Sequence, residues 1–100
     1  MSTEELDNLA KIGQLKAEPA GRTEFDGLVR SARRRLADAR NDGLSPDSRF
    51  DLAYNAAHAF ALAALRRCGY RSEKRYVVFQ SLEHTLGLDA AVWRVLAKAH

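Results

Sequence analysis

The run Arg49-Phe50-Asp51-Leu52-Ala53-Tyr54-Asn55-Ala56-Ala57-His58-Ala59-Phe60-Ala61-Leu62-Ala63-Ala64-Leu65 decides the fold. Over residues 52–65, twelve of the fourteen side chains are apolar, interrupted only by Asn55 and His58. Alanine is the best helix former and a poor strand residue, and the run shows neither alternation nor β-branched enrichment. It therefore predicts a helix with most of its circumference covered by other helices, its alanines letting neighbouring backbones approach closely. Ser45-Pro46-Asp47 supplies an N-cap with proline at the first helical position, and Gly69 supplies the stop. The helix is expected over residues 46–68.

Four further helices are expected around it. Ser2 or Thr3 can cap a first helix over residues 4–16, with Glu4 and Glu5 in its first turn and Leu6, Leu9, Ile12 and Leu15 at helical spacing. Gly13 weakens that helix, and Pro19 and Gly21 are expected to end it. Thr23 can cap a second helix, residues 24–42, whose apolar stripe is Phe25, Leu28, Val29, Ala32, Leu36 and Ala39. Ser72 is read as the cap of a helix over residues 73–86, with Tyr76, Phe79, Leu82, Thr85 and Leu86 inward and Gly87 as its stop. Asp89 caps the last, residues 90–100, with Val92, Leu96 and Ala99 in one stripe, widened by Trp93 and Ala97.

The short connections favour antiparallel neighbours, so the fold class is all-α: an antiparallel bundle of four to five helices with an Ala-rich central helix. One hundred residues make one domain, with residues 1–20 as N-terminal helix and linker and 22–100 as the bundle. The last helix stops at His100 in mid-pattern, without a closing Gly, Pro or polar tail. Either it frays there or the sequence is the front part of a longer chain, and the abruptness favours the second.

Composition narrows the function classes. Hydrophobic residues make up 46% and charged residues 29%, the balance of a globular protein. The longest apolar run is too short to span a bilayer, and the acidic N-terminus has no apolar h-region of a signal peptide. Cys68 stands alone, which excludes an intramolecular disulfide. A soluble cytoplasmic protein is expected, with no membrane partner. The net charge of +3 is uneven: residues 1–26 sum to −3 and residues 27–100 to +6. Positive charge gathers in Arg30, Arg33, Arg34, Arg35 and Arg40, then in Arg66, Arg67, Arg71, Lys74 and Arg75. The second group is the candidate nucleic-acid-binding cluster; solvated helix faces are the plainer reading of the same residues.

Few residues suggest chemistry. Asp51, Asn55 and His58 share one face of the central helix, either as a ligand-contacting polar stripe or as its exposed edge. Asp51 and His58 lie about 10 Å apart along the axis, too far for a direct pair, and Asn55 could link to either. His84 stands where a helix C-terminal dipole favours a cation. The histidines have no metal-ligand spacing, so no protein-only metal site is expected. No phosphate-cradling glycine loop or nucleophile elbow occurs, and no cofactor is expected. Cys68 lies beside Arg66 and Arg67, which could lower its thiol pKa, but a buried free cysteine at a helix end is the favoured role.

The run from Arg49 to Leu65, with Gly69-Tyr70-Arg71 after it, resembles the central helix and turn of HEPN domains, small helical domains of prokaryotes and higher eukaryotes. The resemblance covers residues 24–100 and is one of helix order and composition. It implies an up-down four-helix bundle, frequently dimeric, found in toxin–antitoxin and nucleotidyltransferase-associated systems. Active members are metal-independent ribonucleases in which an Arg is followed after four to six residues by a His. Arg94 and His100 have that spacing on the final helix, about 120° apart around it, with Val95 where such proteins commonly carry Asn. In that role His would transfer protons and Arg would stabilise the phosphorane.

Three functions follow. The first is a non-catalytic HEPN-like interaction domain that forms a homodimer or docks a partner such as a nucleotidyltransferase. The second is a metal-independent ribonuclease acting on RNA through Arg94 and His100. The third is a basic nucleic-acid-binding module. The Ala-rich helix and the unfinished last helix, both short of packing surface, favour the first.

Overall fold

Ser45 Oγ accepts the backbone N–H of Ser48 at 3.1 Å, with Pro46 at the first helical position. The longest helix of the fold, α3 (Pro46–Arg67), starts from this cap. The computed structural model describes residues 3–19 and 21–98. Within them the architecture is an all-α bundle. Before α3 come α1 (Thr3–Lys11), β1 (Lys16–Ala17) and α2 (Arg22–Ala39); after it come β2 (Tyr70–Arg71), α4 (Arg75–Gln80), α5 (Leu82–Thr85) and α6 (Ala90–Lys98). No described helix is long and apolar enough to cross a membrane.

Local chemistry moves several boundaries away from the sequence expectation. The first helix ends at Lys11, with Gly13 as its stop, rather than running to residue 16. Gly13 takes φ +81°, its N–H reaches the Ala10 carbonyl at 3.1 Å, and the Gln14 N–H reaches Leu9 at 2.9 Å. These two bonds form a Schellman stop, which only a residue tolerant of positive φ permits cheaply. Gly69, at φ +88°, ends α3, its N–H reaching the Arg66 carbonyl at 2.9 Å. Gly21 takes the N-cap position of α2, and Thr23 lies inside the helix. The single helix expected over residues 73–86 is interrupted at Ser81. This buried hydroxyl donates to the Val77 carbonyl at 2.8 Å, a back-bond of the kind that bends helices. Ser72 accepts the N–H of Lys74, and Asp89 caps α6 through the N–H of Ala91.

The two faces of α3 are buried differently. Tyr54, Ala61 and Leu65 join Leu6, Leu15, Val77, Val78, Phe79, Leu82 and Trp93 in the main core. Ala56, Ala59 and Ala63 are also buried but stand outside that cluster, at helical spacing on the face toward α2. There α2 contributes Ala32 and Ala39, so small side chains meet along a long antiparallel hairpin. Arg49, near the start of α3, donates to the carbonyl of Ala39 at 2.8 Å and so satisfies an orphan acceptor at the end of α2. The inward faces of α4 and α6 are not quite those expected. Val77, Val78 and Trp93 are buried, whereas Tyr76, Leu86 and Val92 are 55%, 60% and 48% exposed. Ala99 and Ser2 lie outside the described residues.

At the other end of the hairpin sits Arg66, only 3% exposed. Its Nε donates to Glu24 Oε1 at 2.7 Å and its Nη2 to Oε2 at 3.3 Å. Nη1 donates to the carbonyls of Glu18 at 2.8 Å and Tyr70 at 3.3 Å, and Nη2 also reaches that of Pro19 at 3.3 Å. One guanidinium thus joins α2, α3, β2 and the linker behind β1. The antiparallel β1–β2 ladder, with Lys16 opposite Arg71 and Ala17 opposite Tyr70, lies beside this junction.

Replacing Arg66 with methionine keeps the stem and removes the donors. Urea unfolding of Arg66→Met should show a loss of about 2–3 kcal/mol, because part-buried carbonyls lose a charged partner. The hydrogen bond from Arg66 holds the Glu24 carboxyl below its ordinary value of 4.5. That contribution is complete above 4.5 and disappears as the pH falls through the lower folded value, so the variant should lose less stability on acidification than the parent.

Candidate functional site

The polar stripe of α3 sits where α4 begins. Asn55 Nδ2 donates to the Asp51 carbonyl at 2.8 Å, leaving Oδ1 directed at Arg75, whose Nη1 and Nη2 both lie 3.5 Å away. The Arg75 guanidinium carbon is 5.4 Å from the centre of the Tyr54 ring, a cation–π distance. His58 packs edge-on against Phe79, ring centres 5.6 Å apart and planes at 73°. Asp51 is exposed, while Asn55 and His58 are half-buried.

Burial lowers the pKa of His58, and the nearby positive charge of Arg75 lowers it further. The imidazole is therefore neutral at pH 7. The group can offer an Asn amide, a guanidinium and a neutral imidazole to a ligand, but at present they hold one another and the Tyr54–Phe79 contact in place. Arg75 was expected in the basic cluster; tertiary packing assigns it here instead.

That basic cluster divides. Arg66 is consumed by the junction described above and is no surface cation, which corrects the expectation that it contacts nucleic acid. Arg71 pairs with Glu18 at 3.2 Å, and Lys74 Nζ lies 3.5 Å from Gln14 Oε1. The β1–β2 register adds Lys16, a residue the sequence reading did not single out, to a depression of about 520 Å³ lined also by Gly13, Arg71 and Lys74. Nothing local marks Lys16, because it meets Arg71 only through strand pairing. Arg67 is exposed and lines a separate hollow of about 560 Å³ with Arg22, Phe25 and Cys68. Burial raises the Cys68 thiol pKa against the opposing charge of Arg67, which argues against the alternative of an activated thiol.

Arg94 is exposed on α6, its guanidinium carbon 5.5 Å from the ring of Trp93. His100 lies outside the described residues. His84 is half-buried with Nε2 4.0 Å from Glu83, whose other oxygen accepts from Trp93 Nε1 at 3.5 Å. Among the described residues no group of His, Cys, Asp and Glu is placed to hold a metal ion.

The lowered pKa of His58 opposes folding in acid. Above the unfolded value of 6.5 the imidazole is neutral in both states and costs nothing. Below it the unfolded chain binds the proton first, so stability falls with pH until the folded value is reached. An NMR titration should place the His58 midpoint below 6.5, and Arg75→Gln should raise it only in part, since burial is the larger cause.

Comparison of the chain with protein-family models, curated proteins and solved structures finds no match.

Proposed function

We propose that this chain is a non-catalytic, HEPN-like interaction domain that pairs with a second copy of itself through α6. The observation that carries the reading is the outer face of that helix. Val92 and Val95 are 48% and 68% exposed, and Leu86, just before the helix, is 60% exposed. Burying one such side chain fully is worth about 1.5–3 kcal/mol, which gives these residues a reason to seek cover.

Charge placement favours a second copy as the occupant. Asp89 stands at the start of α6 and Lys98 at its end. Two α6 helices packed antiparallel about a two-fold axis bring each Lys98 toward the other's Asp89 and oppose the helix dipoles, closing the contact in both directions. The roles of the polar residues support binding over catalysis. Arg66, Arg71 and Arg75 each hold another part of the fold, and His58 is packed against Phe79. The HEPN-like helix order is the second support, since that resemblance implies frequent dimers and partners such as nucleotidyltransferases of toxin–antitoxin systems.

Sedimentation velocity up to about 0.1 mM, where a micromolar Kd populates the pair, should show a dimer. Val95→Asp should return it to a monomer with unchanged circular dichroism. A parent chain that stays monomeric over that range would overturn the reading.

A further inference from the structure

Six arginines and no lysine occur in α2 and its C-cap residue Arg40. At 100° per residue, Arg30, Arg33, Arg34 and Arg40 fall within one arc of about 120°. That arc lies opposite Ala32 and Ala39, which are buried along the hairpin. All four arginines are exposed, and among the described residues none of their side chains has a hydrogen bond or ion pair. The remaining two are occupied: Arg22 faces Asp26 at 3.7 Å, and Arg35 donates to Ser31.

Acidic side chains do little to neutralise this face. Glu24 is engaged by Arg66, and Asp26 by Arg22. Asp38, one turn beyond Arg34, forms no ion pair with it. The result is a convex line of unpaired guanidinium groups about 15 Å long from Arg30 to Arg40. One strand of a B-form duplex presents about four phosphates over that length, at 3.4 Å each.

The geometry points to the outer face of α2 as a docking surface for a nucleic-acid backbone, gripped by Arg30, Arg33, Arg34 and Arg40. Shape and chemistry both select this occupant. A single small phosphate is held by groups converging on a concavity, whereas these diverge from a ridge. A lipid surface would draw on the apolar side of an amphipathic helix, and on that side of α2 Ala32 and Ala39 are buried in the hairpin, turned away from the arginines. The exclusive use of arginine fits phosphate, which its planar fork engages in a bidentate manner. The surface is distinct from the Arg66–Arg75 region, where tertiary contacts occupy most of the cations, and from α6. Binding here therefore does not depend on dimer formation.

Fluorescence anisotropy with a labelled 20-base-pair DNA of arbitrary sequence, from about 50 to 200 mM KCl, tests the assignment. Four phosphate contacts predict that log affinity falls with log salt at a slope of about −3.6. The triple variant Arg30→Gln, Arg33→Gln, Arg34→Gln should flatten the slope to about −1 and weaken binding about tenfold or more at the lowest salt. Its circular dichroism should be unchanged. The control pair Arg67→Gln, Lys74→Gln should leave both readouts as in the parent. The assignment is overturned if the triple variant binds like the parent, if the control pair abolishes binding instead, or if the parent binds phosphatidylserine vesicles but not the duplex.

Discussion

The guanidinium of Arg66 lies at the meeting point of four segments, and the arrangement of the N-terminal third of the chain depends on it. Its planar fork reaches a carboxylate on α2 and backbone carbonyls on both sides of α3 at once, a task to which a lysine ammonium is poorly suited. Those carbonyls belong to a linker and a two-residue strand, segments with few backbone partners of their own. A hydrophobic side chain could fill the same space but would leave them unsatisfied. Arg66 therefore fixes where α1 and β1 return to the bundle, and with them Leu6 and Leu15, both in the main core.

Around that anchor α3 serves two neighbours by different means. Toward α2 it offers alanines, and the two helices are held at their ends by Arg49 on the Ala39 carbonyl and by Arg66 on Glu24. Toward α4, α5 and α6 it offers larger side chains that interlock with Val78, Phe79 and Trp93. Because the α2 contact uses only one narrow face of that helix, its opposite face is free to carry unpaired charge. Because α6 buries Trp93 while leaving Val92 and Val95 outside, the bundle ends in an apolar surface. The two proposed surfaces thus arise from the same economy of packing: short helices and small seams leave outer faces uncovered.

Much of the helix layout was legible from local signals. The Ser45–Pro46 start and the Gly69 stop of α3 act within a few residues and depend on no distant partner, as does the Asp89 cap of α6. Where the reading went astray, two local signals competed. Gly13 weakens a helix interior, but its freedom at positive φ makes it the stop itself. Ser81 looked like an ordinary helical position until its burial directed the hydroxyl back to Val77. Inward faces were harder: Tyr76 and Val77 both suit a core, yet Val77 is buried while Tyr76, edge-on to Trp93 of α6, stays half exposed.

For the site, the sequence determined the ingredients: an all-α chain, a polar stripe of Asp51, Asn55 and His58 at helical spacing, and an excess of arginine in its later part. Those properties are set by helical periodicity and residue chemistry, which operate over a turn or two. Tertiary structure decided which cations remain available. Arg66 and Arg67 are neighbours in the chain, yet 100° of helical rotation turns one into a buried junction and leaves the other in solvent. Lys16 and Arg71 are distant in the chain and become neighbours through strand register. Availability is a matter of burial and pairing, which depend on long-range contacts that no local pattern encodes.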